Sequence, residues 1–422
     1  MKLKAKFLLP ALFWIPAVAT GLIAVLYARL VEKALAFYHY YCLGHPILFL
    51  VLTPALFVFA TFLVKQFAPS AGGSGIPQVL QVIHFSSEAE SPMKYWDRVS
   101  IRTMIVKILS SLVGVMGGAS IGREGPTVQI ASSIFGLVVR FVQKKGYVID
   151  YRSFLIAGGS AGVAAAFNTP LAGITFAIEE IAESFFFQVK QEVMIAVIIS
   201  GIVAQAITGD YLYFGHPITG HPSWVIFPEA LIIGALCGIA GGIFALLLSS
   251  KWSNKILPAN WWLRALICGI ICAIFGYVSR SESGGAGYET VKRFMDESGS
   301  MAPIFGFEKF ITTVLSYLSG MAGGIFSPCL SIGAGVGYVI GDLLPFGNLK
   351  VCALIGMVSF FAAVVQAPLT SVVIVMEMTD KHILIVPFMI AAYLSNGISK
   401  YFMPIPLYRK MAQFPHSGES QN

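Results

Sequence analysis

Apolar segments long enough to matter for a membrane recur along almost the whole sequence. They lie at 7–31, 47–67, 103–121, 127–143, 154–178, 193–207, 224–250, 263–278, 309–340, 352–376 and 383–402. A straight helix needs roughly 20 residues to cross a ~30 Å hydrocarbon core, so some segments span the bilayer and others fall short. Glycine and proline interrupt many of them, which favours broken helices around a cavity. The sequence therefore predicts an all-α polytopic membrane protein with many tilted and broken helices.

Composition supports a membrane protein and argues against a nucleic-acid partner. Hydrophobic residues make up 56% of the chain and charged residues only 12%, about half the charged fraction of an average soluble domain. The net charge is +7, but no soluble segment carries a basic face. Lysines and arginines instead cluster in 94–107, 140–152, 251–264 and 400–410, whereas the polar loop 208–223 has no Lys or Arg. Because cytoplasmic loops are enriched in Lys and Arg, we expect both termini in the cytoplasm, loop 208–223 outside, and a location in the cell (inner) membrane.

The first apolar segment is typical of two different N-terminal structures. The lysines of Met1-Lys2-Leu3-Lys4-Ala5-Lys6 precede it, as in a signal peptide. The apolar run continues to Leu26 and a polytopic chain follows, so we expect a first membrane helix.

The cysteines give no sign of a metal site. None has the spacing of metal ligands, and five lie in apolar segments where a thiol packs as a small hydrophobic side chain. The six are Cys42, Cys237, Cys268, Cys272, Cys329 and Cys352. We expect neither a metal nor a cofactor.

An arginine and a glutamate lie side by side inside an apolar region, in Gly122-Arg123-Glu124-Gly125-Pro126. Ionisable groups at membrane depth are costly and usually face an ion path. The glycines allow close backbone approach, and the proline suits the first turn of a helix. We predict a helix that begins in mid-membrane and directs its positive end at an anion. A short surface loop with a salt bridge is the alternative.

Three further motifs could contribute donors to the same anion. Ser74 offers a hydroxyl, Tyr408 offers a phenol, and the amides of Ile325 and Phe326 precede a helix-starting proline. The motifs are Gly73-Ser74-Gly75-Ile76-Pro77, Gly324-Ile325-Phe326-Ser327-Pro328 and Pro406-Leu407-Tyr408. Taken singly, the first could be a plain turn, and Tyr408 could belong to an interfacial aromatic belt.

The two halves of the chain resemble each other weakly. Asn168-Thr169-Pro170-Leu171 is followed by Glu179, and Gln366-Ala367-Pro368-Leu369 is followed by Glu377, each nine residues after its proline. Gly72-Gly73-Ser74-Gly75 has a looser counterpart in Gly284-Gly285-Ala286-Gly287. Matching broken helices in two halves indicate a site at their interface. We interpret residues 1–422 as one membrane transport domain, with repeats at about 10–210 and 224–405 and a C-terminal segment, 406–422.

The four ordered motifs, together with Asn168–Glu180, resemble the CLC family of chloride channels and chloride/proton antiporters. The resemblance covers roughly residues 10–412. It implies two inverted-topology halves and a homodimer with one ion path per subunit. It also implies a chloride held by the hydroxyls of Ser74 and Tyr408 and the amides of Ile325 and Phe326. Two adjoining residues, Gly125 and Ser327, complete this set.

The resemblance gives two acids a role in proton transport. Glu124 matches the gating carboxylate, which competes with chloride when ionised and swings out when protonated. Glu180 matches the inner proton-transfer acid of the antiporter branch. It lies ten residues after Pro170, about 15 Å along a helix, and so at a different depth from Glu124. A surface acid at a helix end is the alternative for Glu180.

The sequence departs from the antiporter pattern at three positions. Gln78 and Leu80 stand where antiporter relatives carry acids, which leaves the inner proton entry open. Ser327 stands where alanine is common, and we expect tolerance there because the backbone would bind the anion.

Of the functional hypotheses that follow, we favour a secondary-active chloride/proton antiporter. A passive chloride channel of the same fold, or an exchanger for another monovalent anion, is the main alternative, and Glu180 favours the antiporter. Gly158-Gly159-Ser160-Ala161-Gly162 fits the G-x-S-x-G pattern of a hydrolase. That motif requires a preceding strand, whereas this one lies in an Ala-rich helical run, so we do not expect an enzyme.

Overall fold

The structure is a computed structural model. It describes residues 2–85, 92–147, 149–181, 191–209, 212–215, 217, 224–249, 257–296, 300–344 and 348–413. Three parts of the sequence interpretation lie outside these ranges: Lys251 and Lys255 of one basic cluster, most of loop 208–223, and the end of the C-terminal segment, 414–422.

The described residues form helices and, apart from two isolated bridges, no β-structure. The α-helices, in chain order, are α1 (Lys2–Gly44), α2 (Pro46–Phe67), α3 (Ile76–Phe85), α4 (Ile101–Met116), α5 (Glu124–Lys144), α6 (Tyr151–Phe167), α7 (Pro170–Phe176), α8 (Gln191–Thr208), α9 (Ile226–Ser249), α10 (Trp261–Val278), α11 (Tyr288–Asp296), α12 (Phe305–Leu318), α13 (Phe326–Leu343), α14 (Leu349–Val365), α15 (Pro368–Thr379), α16 (Ile385–Phe402) and α17 (Leu407–Gln413). A π turn, Ala177–Ile181, continues α7. The predicted all-α fold is confirmed.

Eight stretches of the described chain are long and apolar enough to cross a membrane. The first, Ala11–Gly44, belongs to α1, which continues without a break well past the end of the predicted apolar run. α6 and α14 are buried on nearly all sides, as helices that are apolar all round should be. α2 and α9, by contrast, leave large apolar side chains exposed, such as Val51 and Leu236. The protein is therefore a multi-pass membrane protein whose outer helices have apolar surfaces suited to lipid.

Three predicted apolar segments are each divided into two helices. Segments 154–178 and 352–376 break at Asn168 and Gln366, whose φ angles are +59° and +62°. A left-handed residue ends a helix, and a proline two residues later begins the next one. Segment 309–340 breaks between α12 and α13, at residues 319–325. Breaks at equivalent places in both halves match the repeat seen in the sequence.

The looser repeat of glycine motifs corresponds to two similar loops. Gly73 and Gly285 both have positive φ, +65° and +60°. A fully buried lysine amine binds each loop: the Nζ of Lys107 donates to the carbonyl of Gly73 at 2.8 Å, and the Nζ of Lys309 donates to that of Gly285 at 2.7 Å. A buried ammonium is stable only if its donors are paired. The two lysines therefore fix the glycine loops from α4 and α12.

Small residues allow close helix contact at the interface of α9 and α16. A Cβ placed on Gly234 would lie 3.0 Å from the carbonyl of Ala391, and one on Gly238 would lie 3.0 Å from the carbonyl of Ser395. Glycines four residues apart on one helix face form contacts of this kind between membrane helices. All six cysteines are buried and free, including Cys42.

Candidate anion site

Three of the glycine motifs meet at the centre of the molecule. The N–H of Gly73 donates to the carbonyl of Met321 at 2.9 Å. Gly122 and Gly324 exchange two backbone hydrogen bonds of 2.8 and 2.9 Å. A Cβ added to Gly125 would lie 2.4 Å from the Oγ of Ser74, which no real Cβ tolerates. The three motifs therefore form one frame. At its closest contact, between Gly125 and Ser74, only glycine fits.

Each of these motifs ends at the start of a helix. α3 begins at Ile76, α5 at Glu124 and α13 at Phe326. The first N–H groups of a helix have no intrahelical acceptor, and the positive end of the helix dipole lies there. The predicted helix starts are confirmed, and the frame presents backbone donors suited to an anion.

Two buried hydroxyls next to this frame have no hydrogen-bond partner within the described part of the chain. They are the Oγ of Ser74 and the Oη of Tyr408, which are neighbours, and both residues are fully buried. The ring of Tyr408 packs 5.8 Å, centroid to centroid, from that of Phe326 at the start of α13. Buried hydroxyls in native proteins are almost always hydrogen-bonded. Both could donate to a monovalent anion placed between them and the first amides of α13.

Glu124 lies at the first turn of α5 with no exposed surface. Its Oε1 accepts a hydrogen bond from the Oγ of Ser327 at 2.7 Å and one from the Oη of Tyr213 at 3.3 Å. Arg123 does not pair with it but interacts with Glu32 of α1, at 3.4 Å. A short surface loop with a salt bridge is therefore not what forms here. Glu124 is a buried carboxylate next to the positive end of α13.

Ser327 contacts Glu124 rather than the unpartnered hydroxyls of Ser74 and Tyr408. From the sequence, we expected only the backbone of Ser327 to bind the anion. Its side chain instead supplies the shortest hydrogen bond to the carboxylate, which changes the consequence expected for an alanine at this position.

Glu180 lies in the π turn that continues α7, and only 8% of it is exposed. It is therefore not a surface acid. It lies close enough to Tyr408 for the two groups to interact electrostatically. The neighbouring Glu179 is turned elsewhere and accepts backbone hydrogen bonds from the start of α15.

Of the two positions that lack acids, Gln78 supports the frame and Leu80 is a buried apolar residue. The Nε2 of Gln78 donates to the carbonyl of Gly72 at 2.8 Å, just before Ser74. Leu80 is buried, with 3% of it exposed.

Sequence reasoning missed Tyr213. It lies in the loop that was placed outside, yet it is 97% buried, since only 3% of it is exposed. The aromatic run Tyr211-Leu212-Tyr213-Phe214 in an otherwise polar loop is the signal that could have indicated it.

The hydrolase motif does not have the geometry its chemistry requires. Ser160 is fully buried in the middle of α6, with helix on both sides. A nucleophile of this motif needs a sharp turn from a strand into a helix.

Comparison with known proteins agrees with this architecture. The chain superimposes with a TM-score of 0.82 on the crystal structure of a slow cyanobacterial Cl⁻/H⁺ antiporter, with 23% identity over 96% of each chain. It matches a CLC-type fluoride/proton antiporter with a TM-score of 0.78 and 21% identity, over 94% of this chain and 96% of that one. It matches a eukaryotic CLC transporter with a TM-score of 0.74 and 22% identity, over 96% of this chain and 74% of that one.

The family itself is shown by sequence. The profile of the voltage gated chloride channel family matches residues 56–400, which is most of the chain and includes the whole frame; Tyr408 lies just beyond the matched residues. The protein is therefore a member of the CLC family.

Proposed function

We propose that this protein is a secondary-active chloride/proton antiporter. One observation carries the proposal: the unpartnered, buried hydroxyls of Ser74 and Tyr408 lie beside the start of α13, where a buried carboxylate, Glu124, is also held. Hydroxyls and helix ends suit a dehydrated anion, and an acid in the same frame can exchange a proton.

Chloride is held by donors that carry no full charge. Ser74 and Tyr408 donate their hydroxyl protons, and Ile325 and Phe326 donate their amide protons. Gly125 lets the frame close around the ion, because any side chain there would strike Ser74. Dipoles of this kind bind an anion firmly enough to admit it and weakly enough to release it.

The proton moves through two acids. Ionised Glu124 is an anion at the same frame and competes with chloride for donors. Protonation removes that charge, frees the carboxyl group to leave, and couples proton binding to chloride occupancy. Glu180, on the Tyr408 side of the site, passes the proton to and from the inner solution. Water bridges the gap between the two acids, as it does in other membrane proton routes.

The names of similar structures support an exchanger over a channel. Two solved structures with this fold are named as proton-coupled antiporters, one for chloride and one for fluoride. Glu180 is the feature of this chain that favours the same class. Ser74 favours chloride as the anion.

The whole chain would act as one transport domain with its two repeats, about 10–210 and 224–405, packed around the site. It would work as a homodimer with one path per subunit, in the cell (inner) membrane, with both termini in the cytoplasm. Exposed apolar side chains on α8 and α16, such as Ile202 and Tyr393, supply surface for a partner subunit or lipid.

Paired flux measurements test the proposal. Purified protein in liposomes is given a chloride gradient with the membrane potential clamped by valinomycin and K⁺, and both ions are followed. We expect chloride movement to drive protons in the opposite direction against their own gradient. Robust chloride flux without proton movement would establish the passive channel instead. Faster proton-coupled flux with fluoride or nitrate than with chloride would establish another anion.

A further inference from the structure

A short turn, residues 212–215, folds over the carboxylate of Glu124. The N–H of Gly215 closes the turn on the carbonyl of Leu212 at 3.1 Å, and the N–H of Phe214 donates to the carbonyl of Met378 at 3.3 Å. Gly215 has φ +75°, a conformation that favours glycine. These contacts fix the turn against the end of α15 and direct Tyr213 inward.

Tyr213 is held on several sides. Its ring packs against Phe167 and Tyr288, with centroids 5.9 and 5.0 Å away. The guanidinium of Arg123 lies 5.6 Å from the centroid of the same ring. Its hydroxyl lies 3.3 Å from the Oε1 of Glu124 and 3.3 Å from the Oγ of Ser327. The position of the hydroxyl is therefore defined by packing and not only by its hydrogen bonds.

We propose that Tyr213 is a latch that holds the ionised carboxylate of Glu124 in its closed position and has to release it before the carboxyl group can move outward. The proposal rests on the gating role proposed for Glu124. Tyr213 is a positioning residue, because it acts on transport through Glu124 and not by contact with the transported ion.

The latch follows from the cost of burying a charge. A carboxylate away from water is stable as an ion only if donors hydrogen-bond to it. Ser327 and Tyr213 are the donors to Oε1, and Oε2 has no partner in the described residues. Protonation removes the charge that makes these bonds strong. Tyr213 thus favours the ionised, closed state, and loss of its hydroxyl favours the protonated, open state.

Other charged or titratable groups surround the carboxylate and do not change in the test. Arg123 precedes it on the same segment, and Tyr27 of α1 lies within its electrostatic range. Glu32, also on α1, balances Arg123.

Two contacts connect the latch to a residue that lines a cavity. Tyr288 packs on Tyr213, and its hydroxyl donates to the Oε1 of Glu289 at 3.4 Å. Glu289 lines a cavity of about 350 Å³ whose other walls include His39 and Arg280. The cavity lies at the end of α1 that we place outside.

Tyr213→Phe tests the latch, because it keeps the ring and removes only the hydroxyl. Chloride flux is measured in liposomes from acidic to neutral pH. We expect about tenfold faster flux at neutral pH and a half-maximal pH about one unit higher, the effect of losing one hydrogen bond to an ionised group. A profile that coincides with the wild type would overturn the latch.

Tyr338→Phe is the matched control. It removes another buried tyrosine hydroxyl from α13, twelve residues or about 18 Å along the helix from Phe326. We expect a wild-type profile from this variant. A shift equal to that of Tyr213→Phe would mean that the effect comes from general loosening, and the latch would be wrong.

The double variant Tyr213→Phe, Glu124→Gln shows whether Tyr213 acts through the carboxylate. If it does, Tyr213→Phe adds no chloride flux once Glu124 is neutral. Further acceleration in that background would make Tyr213 a simple plug of the path and overturn the latch. Proton movement is recorded in the same vesicles: if the wild type couples no protons but the pH shift of Tyr213→Phe remains, antiport is wrong and the latch stands.

Discussion

Glu179 and Glu377 each cap a helix in the other half of the chain. Each carboxylate accepts two backbone hydrogen bonds, one of 3.1 Å and one of 2.7 Å. The donors are Leu369 and Thr370 for Glu179, and Leu171 and Ala172 for Glu377. The caps are reciprocal, so α7 and α15 depend on each other for the acceptors at their first turns. Glu179 and Glu377, which occupy equivalent positions in the sequence repeat, therefore join α7 and α15 into one structural unit.

Replacing either glutamate by glutamine should destabilise the protein by about 1–2 kcal/mol, the usual cost of losing a charged cap. Because α7 and α15 contact each other, the double variant should lose less than the sum. Thermal unfolding in detergent measures this. Asp342→Asn, at an exposed position on α13, is the control and should cause no loss. Additive effects would show that the two caps are independent.

Glu124→Gln should conduct chloride without moving protons. The glutamine cannot ionise, so it neither competes with the anion nor carries a proton. Paired flux measurements give both rates. Glu229→Gln, a buried acid of α9, serves as control and should keep coupled exchange. Intact proton pumping in Glu124→Gln would show that Glu124 is not the gating residue.

Glu180→Gln should also uncouple chloride from protons, whereas Glu179→Gln should not. The two side chains are adjacent in sequence but differ in their surroundings: Glu179 caps α15 and Glu180 lies near Tyr408. We therefore expect lost coupling with normal stability for Glu180→Gln, and normal coupling with reduced stability for Glu179→Gln. Unchanged exchange in Glu180→Gln would mean that another inner acid carries the proton.

Ser327→Ala should alter the pH dependence of transport. Its hydroxyl donates to Glu124 at 2.7 Å, and a hydrogen bond to an ionised group contributes about 1.5–3 kcal/mol. Its loss favours protonated Glu124, so half-maximal chloride flux should occur about one pH unit higher or more. Ser331→Ala, one turn further along α13 and bonded to Ala286, is the control. If both variants match the wild type, the side chain of Ser327 does not affect transport, and this motif contributes only its backbone, as the sequence predicted.

Glu289→Gln should reduce stability only at pH values where the carboxyl group of Glu289 is ionised in the folded protein. The hydrogen bond with His39 is the main cause that holds the pKa of Glu289 below its ordinary value of 4.5. A lowered carboxyl pKa stabilises the fold above the unfolded pKa and ceases to do so as the pH falls through the folded one. The side chain is 51% exposed, so the difference should stay below about 1 kcal/mol and shrink in high salt. Thermal unfolding of both proteins against pH measures it. A difference that grows towards acid would contradict the assignment.

Local signals in the sequence predicted the fold well. Glycine followed by proline marked the starts of α3, α5 and α13, because both residues act on the backbone at their own position. The breaks after Phe167 and Val365 are similar: the preceding apolar run ends at a left-handed residue and a proline follows. Segment 309–340 was predicted as one apolar stretch, and the motif Gly324-Ile325-Phe326-Ser327-Pro328 inside it marked the start of α13. The end of α12 at Leu318 was not predicted, because hydropathy does not change there.

The side-chain contacts made by Glu124 could not be predicted. Ser327 and Glu124 are 203 residues apart and Tyr213 is 89 residues from Glu124. Nothing in the neighbourhood of Ser327 indicates that its hydroxyl faces an acid of the other half. The burial of Tyr213 likewise depends on how its turn packs against α15, which only tertiary structure determines.

The two buried lysines constrain how the molecule is made. α4 and α12 are not among the eight stretches able to cross a membrane independently, and each carries a lysine, Lys107 or Lys309, with no exposed surface. Burying a lone ammonium group in hydrocarbon is energetically costly, so neither helix is stable by itself in the lipid bilayer. We therefore expect each helix to become stable in the membrane only once it packs against the glycine loop whose carbonyls accept hydrogen bonds from its amine.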